Sequence, residues 1–511
     1  MTFARVVFSI FCYSCFFLFI CASEAFPTGE PIGALIDSTR IDDPGVRTIS
    51  NALAHYIMGI LYDNSGNTGS ALDEYKKALS YREDMGEIYV RFGTGLLTMG
   101  KLDEAVEYLE KAAEIEPDNI KPYLFLAIIH TSKGEYGKAE ERYAEALKHD
   151  PENLRALMFL SDLYVIEQKF DEAAEVYENI IKIRGDDAFT YFNLGVIYSK
   201  IDRLDKAVEN LKKAVKVDEN YLEAHLVLGF VYEIEGKFDE AIKQYETVVV
   251  MDPLNRDAYA RLGQVYYQTG DTDKAIEQNR ILMRLDIYSP EPYLKTFSIY
   301  VSEKKYGEAE KVLKEALEKG ITGASIYVSL GYLAALKKEY GEAVKNYEVA
   351  VKKDPKNELY RFYLGAALDR LGRKEEAVKI LEEIVSAYPD FPEAYNYLGY
   401  LYAEEGINPD RAITLVKKAL EFEPENGAYI DSLGWAYYKK GMLDEALEQL
   451  IKAVAYIPDD SIIRVHLGDV YFAKGELGKA VIEWKKSLQL DPGNQEVIDK
   501  LEKAKQEQRQ R

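Results

Sequence analysis

Alanine recurs every 34 residues over most of this 511-residue chain, and this spacing is what most restricts the fold. The series comprises Ala71, Ala105, Ala139, Ala173, Ala207, Ala241, Ala275, Ala309, Ala343 and Ala377, then Ala412, Ala446 and Ala480 after a single step of 35. A fixed period of about 20–50 residues is typical of proteins in which one small structural unit stacks on the next. The sequence therefore predicts a repeat architecture rather than a series of independent globular domains.

A glycine stands twelve residues before most of these alanines. The set comprises Gly59, Gly93, Gly195, Gly229, Gly263, Gly331, Gly365, Gly399, Gly434 and Gly468. A glycine inside a helix costs about 1 kcal/mol relative to alanine, so its recurrence needs a structural reason. We expect the missing side chain to let a second helix approach closely, with Ala241 lying almost on the backbone of Gly229.

Helix ends can be placed within each unit. A second recurrent glycine, such as Gly100 or Gly441, suits the end of the first helix because it tolerates positive φ. Asp103 and its equivalents stand where the second helix is expected to be N-capped. Tetrapeptides such as DPEN and EPEN end the second helix, and we expect their asparagines to cap the next unit. Each unit is thus predicted to be a hairpin of two helices of about 14 residues.

Tyrosine is common three residues after the glycine position, as in Tyr198, Tyr232 and Tyr437. These alanine, glycine and tyrosine positions closely resemble those of the tetratricopeptide repeat. Thirteen such units cover residues 52–494, and the final block also resembles the C-terminal repeats of exported bacterial proteins of this family. The resemblance implies an all-α, right-handed α-solenoid of about 13 helix-turn-helix units. It also implies a concave surface, formed mainly by the first helix of each unit.

The N-terminus carries an export signal. An uncharged run from Val6 to Ala22 follows Arg5, and Ala25 provides a small residue for cleavage, so residues 1–25 are predicted to be a signal peptide. One alternative is a lipoprotein signal ending at residue 20, with lipidation of Cys21, and another is a retained membrane anchor. The three cysteines, Cys12, Cys15 and Cys21, all lie in this segment. We therefore expect an exported protein of the bacterial periplasm or outer membrane.

The remaining segments flank or interrupt the repeats. Residues 26–51 are predicted to be a linker, and residues 495–511 a capping helix with a polar tail. One inserted residue near Asn408 is expected to lengthen an inter-helix turn. The eighth unit, about 290–323, has Phe297 in the glycine position, which indicates either a hinge or an inert local variation.

Charge and motif content argue against several functions. The chain has 87 acidic and 64 basic residues, a net charge of −23, which repels nucleic acid. No two of the five histidines are three to five residues apart, and no nucleotide-binding or nucleophile motif occurs. We therefore predict no enzymatic activity, no metal and no cofactor, and contact with a membrane only through the N-terminal segment.

Function is expected on the concave surface, at four positions of each first helix that we call the groove positions. In the family these are the second, fifth, ninth and twelfth residues of a unit. The candidates are Tyr56, Ile60, Phe192, Phe230, Tyr267, Tyr332, Phe362, Asn396, Tyr400, Asp431, Trp435, Tyr438 and Phe472, with Asp162 among the acids of the same surface. Such a surface suits an extended or helical segment of a protein partner. The predicted function is a non-catalytic scaffold of the cell envelope, used in assembly or export of its components. The alternative is a glycan- or peptidoglycan-associated binding protein whose aromatic groove residues stack on sugars.

Overall fold

The computed structural model describes residues 44–510, and the regular structure in this range consists of 27 helices. The chain divides into two compact units, the first ending at Val265 and the second beginning at Tyr266. The helices of the first unit are α1 Pro44–Asn64, α2 Thr68–Tyr81, α3 Gly86–Thr98, α4 Leu102–Ile115, α5 Ile120–Ser132, α6 Tyr136–His149, α7 Leu154–Ile166, α8 Phe170–Arg184, α9 Ala188–Lys200, α10 Leu204–Val217, α11 Leu222–Ile234 and α12 Phe238–Met251. The boundary between the units falls within α13 Arg256–Gln268. The helices of the second unit are α14 Thr272–Leu285, α15 Glu291–Ser302, α16 Tyr306–Glu318, α17 Ala324–Leu336, α18 Tyr340–Lys353, α19 Glu358–Arg370, α20 Lys374–Ala387, α21 Pro392–Glu404, α22 Pro409–Phe422, α23 Gly427–Lys440, α24 Leu443–Tyr456, α25 Ser461–Ala473, α26 Leu477–Leu490 and α27 Gln495–Gln510.

Helical hairpins build both units, as the 34-residue period predicts. From α1 to α12 in the first unit, and from α15 to α26 in the second, each odd-numbered helix packs against the even-numbered helix that follows it. From α1 to α12, and again from α15 to α26, each hairpin also packs on the next, and α27 packs on α26 with Val497, Leu501 and Ala504 buried. The prediction of an all-α solenoid is confirmed, because no hairpin buries its apolar residues alone.

The recurrent alanines and glycines meet inside each hairpin. At Gly434, an added Cβ would lie 2.7 Å from Leu450 Cγ and 3.3 Å from the carbonyl oxygen of Ala446. At Gly229, the nearest atoms belong to Tyr245 rather than to Ala241. The close approach is therefore as predicted, but the side chain that covers the glycine belongs to the residue four positions after the alanine. Ala241 and its equivalents are fully buried nearby.

The predicted N-caps are correct for the first helix of a unit and wrong for the second helix. The asparagines of the inter-unit tetrapeptides cap the next first helix, as in Asn153, whose side chain accepts a hydrogen bond from the Ala156 amide at 3.0 Å. Asp103 does not cap α4, because the N-cap residue is Lys101 and Asp103 lies in the first turn. A carboxylate in the first turn still favours the helix dipole, and Asp103 also pairs with Lys133 of the next unit at 2.5 Å.

The N-terminal boundary differs from the prediction. The sequence predicts a linker to residue 51, whereas α1 begins at Pro44. Proline suits the first position of a helix because its φ is already helical and its missing N–H has no partner there. The predicted signal peptide, Cys21 and linker residues 26–43 lie outside the described residues. Of the helices between residues 44 and 510, none combines the length and hydropathy that a membrane span requires.

The two irregularities have different structural consequences. Four residues, 405–408, separate α21 from α22, where three, 99–101, separate α3 from α4. Asn408 takes up the insertion in a left-handed conformation, with φ of 45°, and its side chain caps α22. In the eighth unit, Phe297 is buried and α15 still pairs with α16. Whether this unit acts as a hinge stays a prediction.

Candidate functional site

The predicted groove residues all lie on odd-numbered helices, but their exposure differs greatly. Tyr267 and Tyr332 are exposed, at 47% and 46%. The partly buried members are Tyr56, Ile60, Phe230, Phe362, Asn396, Tyr400, Tyr438 and Phe472. The buried members are Phe192, Asp431 and Trp435. Only the first two groups offer a partner substantial surface, so the prediction for the buried three requires correction.

Trp435 is a packing residue rather than an open wall of the groove. Its indole is 8% exposed and stacks on His466 of the next first helix, with ring centroids 4.1 Å apart and planes at 19°. Tyr438 stacks on the same indole at 5.0 Å. The indole Nε1 donates a hydrogen bond to Glu404 Oε2 of the preceding first helix at 2.7 Å. Stacking of a sugar on this ring, as the glycan alternative requires, would have to displace these contacts.

Asp431 is also occupied by a neighbouring unit. The Nδ1 atom of His466 lies 2.9 Å and 3.0 Å from the two carboxylate oxygens of Asp431. Both side chains are buried, at 7% and 6% exposure. A buried polar pair of this kind is costly to break because either group alone would lose its partner away from water. Asp431 and His466 therefore join α23 to α25.

Phe192 is buried by its neighbours in the first unit. Its ring is 1% exposed and lies 5.0 Å from the ring of Tyr221, the N-cap residue of α11. The prediction placed Phe192 from its position in the repeat alone. Position in the repeat gives the direction of a side chain, but the residues of the following unit decide whether it stays exposed.

A mostly aromatic cluster remains partly accessible in the second unit. Phe362 meets the edge of Tyr397 at 5.7 Å, and the Tyr397 hydroxyl donates to Asp369 Oδ2 at 2.9 Å. Burial, together with the nearby Glu404, raises the pKa of Tyr400 to about 12. The amide oxygen of Asn396 is buried and accepts no hydrogen bond from any described residue. This cluster thus combines aromatic surface with an unsatisfied acceptor.

In the first unit, a charged network surrounds Phe230. The Arg261 guanidinium lies 4.7 Å from the centre of the Phe230 ring and 3.6 Å from a Glu233 carboxylate oxygen. Gln264 donates to the same carboxylate at 3.1 Å, as does Tyr245 at 3.0 Å. The sequence prediction missed Arg261 and Glu233. The signal was present, since Glu233 occupies the twelfth position of its unit, but its pairing partners lie on two other helices, Tyr245 on α12 and Arg261 and Gln264 on α13.

Among the carboxyl groups on the odd-numbered helices, Asp162 has the pKa that lies furthest from its ordinary value. Burial raises the pKa of Asp162 from 3.8 to about 7. Burial and the nearby Asp162 carboxylate also raise the pKa values of Tyr143 and Tyr177. No group of three potential metal-ligating side chains occurs within residues 44–510. Asp162 is therefore a buried carboxyl group that titrates near neutral pH.

Replacing Asp162 with asparagine should stabilise the protein at pH 8 and change little at pH 4. Between about pH 4 and pH 7 the folded chain keeps a proton that the unfolded chain has released, so stability falls as pH rises. Asparagine has no proton to lose. Chemical denaturation at both pH values measures the effect, with the exposed Asp257 changed to asparagine as control. An equal change for Asp162→Asn at the two pH values would contradict the raised pKa.

Models of the tetratricopeptide repeat match most of the chain. The matched residues are 52–85, 96–143, 131–195, 188–221, 235–290, 294–358, 334–399 and 434–475. The chain belongs to the tetratricopeptide repeat family. Members of this family generally mediate protein–protein interactions.

Individual relatives of this tetratricopeptide repeat protein match only part of it or match distantly. A TPR repeat-containing protein of Pseudomonas aeruginosa is 35% identical over 68 residues, 13% of this chain and 12% of its own length. Photosystem I assembly protein Ycf3 of Prochlorococcus marinus is 37% identical over 73 residues, 13% of this chain and 42% of its own length. The chain thus spans less than half of either relative. The solved Cut9–Hcn1 complex of APC/C aligns with 90% of this chain and 97% of its own, at 17% identity and a TM-score of 0.42.

Proposed function

We propose that this protein is a non-catalytic scaffold of the bacterial cell envelope that binds a segment of a protein partner at the groove positions of its first helices. The observation that carries the proposal is the exposure of Tyr267 and Tyr332 at these positions, at 47% and 46%. Tyrosine provides apolar contact area and a hydroxyl at low entropic cost, so it is enriched where proteins bind one another. The family supplies the general role of binding proteins.

The chemistry of the groove positions favours a partner segment with apolar side chains. Around Phe362 the surface is aromatic, with Phe391 and Tyr397 packed edge-on to its ring. An extended or helical peptide places side chains at regular intervals, which suits a row of repeated first helices. Such a peptide would contribute apolar anchors to the aromatic surface.

The envelope setting is supported by the sequence of the N-terminus. The uncharged run from Val6 to Ala22 has the properties of an export signal, and no cysteine follows Cys21. A protein without thiols after its signal is suited to an oxidising compartment because it cannot form wrong disulfides. Mass spectrometry of the N-terminal peptide from cells tests this part. A chain beginning at Phe26 or at lipidated Cys21 would support export, whereas an unprocessed chain in the cytosol would refute it.

Changing both exposed groove tyrosines to alanine should reduce capture of the protein partner by about tenfold, the loss of one or two moderate interface contacts. The partner is first identified by crosslinking the full chain in cells, followed by mass spectrometry. The measurement is the yield of that same crosslinked partner for the Tyr267→Ala, Tyr332→Ala double variant.

The matched control is Tyr288→Ala, because Tyr288 is 74% exposed but lies between α14 and α15, outside the groove positions. Its crosslinked partner should be recovered at the native yield. Equal losses for the control and the double variant, or no loss for either, would overturn the assignment of binding to the groove positions.

A further inference from the structure

The first helix presents an apolar stripe that no described residue covers. Val46, Ile49, Leu53, Ile57 and Leu61 are all exposed, by 38% to 55%. Their spacing of three or four residues places them on one side of α1, which at 21 residues is the longest helix described. Exposed apolar residues scattered singly are ordinary, but a continuous stripe of five along one helix marks an interaction surface.

In later repeats, the position of Leu61 on the first helix lies in an interface. Leu61 is 55% exposed, yet residues at multiples of the period after it, such as Ile129, Leu163, Ile197 and Val231, are at most 1% exposed. The same position in the second repeat holds Gly95, where an added Cβ would lie 2.8 Å from Leu72 of the preceding hairpin. The end of the stripe at Leu61 therefore belongs to the surface that later repeats use to pack on a preceding element, whereas the position of Leu53 stays exposed in later repeats, as at Phe189 and Leu359.

The two ends of the described chain differ in whether the apolar face of the terminal hairpin is covered. At the C-terminal end, α27 covers the last hairpin and buries Val497, Leu501 and Ala504. Among residues 44–510, nothing equivalent covers α1. A solenoid normally requires a polar outer face at each end, so the apolar face of α1 requires an occupant.

Three occupants could cover the apolar face of α1: the adjoining segment of the chain, a membrane, or a second copy of the chain. The composition of the adjoining segment and of α1 favours the second copy. Residues 26–43 contain four carboxylates, and Asp37 stands where the period would place the buried alanine of a preceding unit. Helices that lie on membranes are rich in lysine and arginine, whereas Arg47 is the only such residue in α1. Neither residues 26–43 nor a membrane therefore matches the apolar face of α1.

The charge distribution on α1 permits self-association. The chain carries 87 acidic residues and a net charge of −23, so most of its surfaces repel a second copy. The exposed residues of α1 include no carboxylate, and its one acid, Asp63, is hydrogen-bonded to the Tyr75 hydroxyl at 2.5 Å. Ile49, Leu53, Ile57 and Leu61 follow one another at intervals of four and form a single ridge along the helix.

We propose that the chain forms a homodimer in which the apolar ridge of α1 packs against the same ridge of a second copy across a two-fold axis. Identical ridges of this spacing interdigitate at a crossing angle of about −50°. In a two-fold contact, residues near the axis lie close to their own copies, here between Leu53 and Ile57. The contact between two single helices is small, which gives a weak and concentration-dependent dimer. Of the ridge residues, only Leu53 stands at a groove position, and the exposed Tyr267 and Tyr332 of the proposed partner site lie on other helices, so the dimer can be tested separately from partner binding.

The test introduces one thiol at the centre of the ridge in the full-length protein. Ile57→Cys is expressed in its own cells and treated with a short bismaleimide, and mass spectrometry identifies the linked peptides. The expected result is a covalent dimer in which the introduced thiol is joined to its own copy, at about ten times the background of the unsubstituted chain. Val250→Cys is the control, because Val250 is 80% exposed but lies on α12, away from the ridge.

A second substitution separates the proposed contact from accidental collision. Adding Leu61→Asp to Ile57→Cys should remove the crosslinked dimer, since two buried carboxylates would face each other, while α1 stays folded because residue 61 is already exposed. The proposal fails if Ile57→Cys yields no homodimer, or yields only a link to another protein, or if Leu61→Asp leaves the homodimer intact.

Discussion

Trp435→Ala should lower the free energy of unfolding of the C-terminal repeats by about 3–5 kcal/mol, the usual cost of emptying a large aromatic site. The indole is buried among Leu433, Ala436 and the neighbouring helices, stacks on His466 and donates to Glu404. Its removal leaves a cavity where three successive first helices meet. Chemical denaturation followed by the fluorescence of Trp484, the other tryptophan, measures the loss. Hydrogen exchange locates it in α21, α23 and α25.

The conservative change Trp435→Phe separates packing from the hydrogen bond. Phenylalanine keeps an aromatic ring beside His466 but removes the donor to Glu404, so we expect a loss of about 1–3 kcal/mol, smaller than for alanine. If Trp435→Ala left stability unchanged while abolishing partner capture, the indole would be a binding residue after all, and the packing interpretation would be wrong.

Gly399→Ala should destabilise the second unit by about 1–3 kcal/mol, the cost of overpacking a filled interior. An added Cβ would lie 2.6 Å from Val416 Cγ2, 3.0 Å from the Ala412 carbonyl oxygen and 3.2 Å from the Val416 amide nitrogen. Two of these three atoms belong to the backbone of α22, which cannot move aside as a side-chain end can. Urea denaturation gives the change in free energy, and hydrogen exchange in α21 and α22 gives its location.

Gly365→Ala is the matched control because it changes the same repeat position in the preceding hairpin. There the nearest atom to an added Cβ is Leu381 Cγ at 3.4 Å, an ordinary contact distance. Replacing a glycine inside a helix then gains up to about 1 kcal/mol from helix propensity. We expect Gly399→Ala to lower the free energy of unfolding and Gly365→Ala to raise it. Equal destabilisation would show that the short distances to α22 do not govern the effect.

Features set within a single unit were predictable from the sequence. The hairpins follow from the 34-residue period, and the asparagine caps from their place after a proline, because both depend on residues close in the chain. The cap expected from Asp103 was wrong by two positions, since the side chain lies in the first turn and pairs with Lys133. The start of α1 at Pro44 was missed because the repeat was counted from residue 52.

The candidate site was only partly predictable. Tyr332 and Trp435 hold the same position of the repeat, yet the first is 46% exposed and the second 8%. The difference arises from His466 and Glu404, which belong to the units on either side of Trp435. The pairing of Glu233 with Arg261 and Gln264 was likewise invisible, because each partner lies about one period away in sequence.

By itself, the sequence determined the helical hairpin, its period and the glycines at which two helices approach, because one repeating unit contains all the residues that specify them. Only the tertiary structure decided which groove positions remain open and which, such as Asp431 and Trp435, are covered. It also decided that Leu61 of α1 is exposed while its later equivalents, such as Ile129 and Leu163, are buried. The physical reason is the same in both cases: exposure depends on the neighbouring unit, which supplies or withholds the side chains that exclude water.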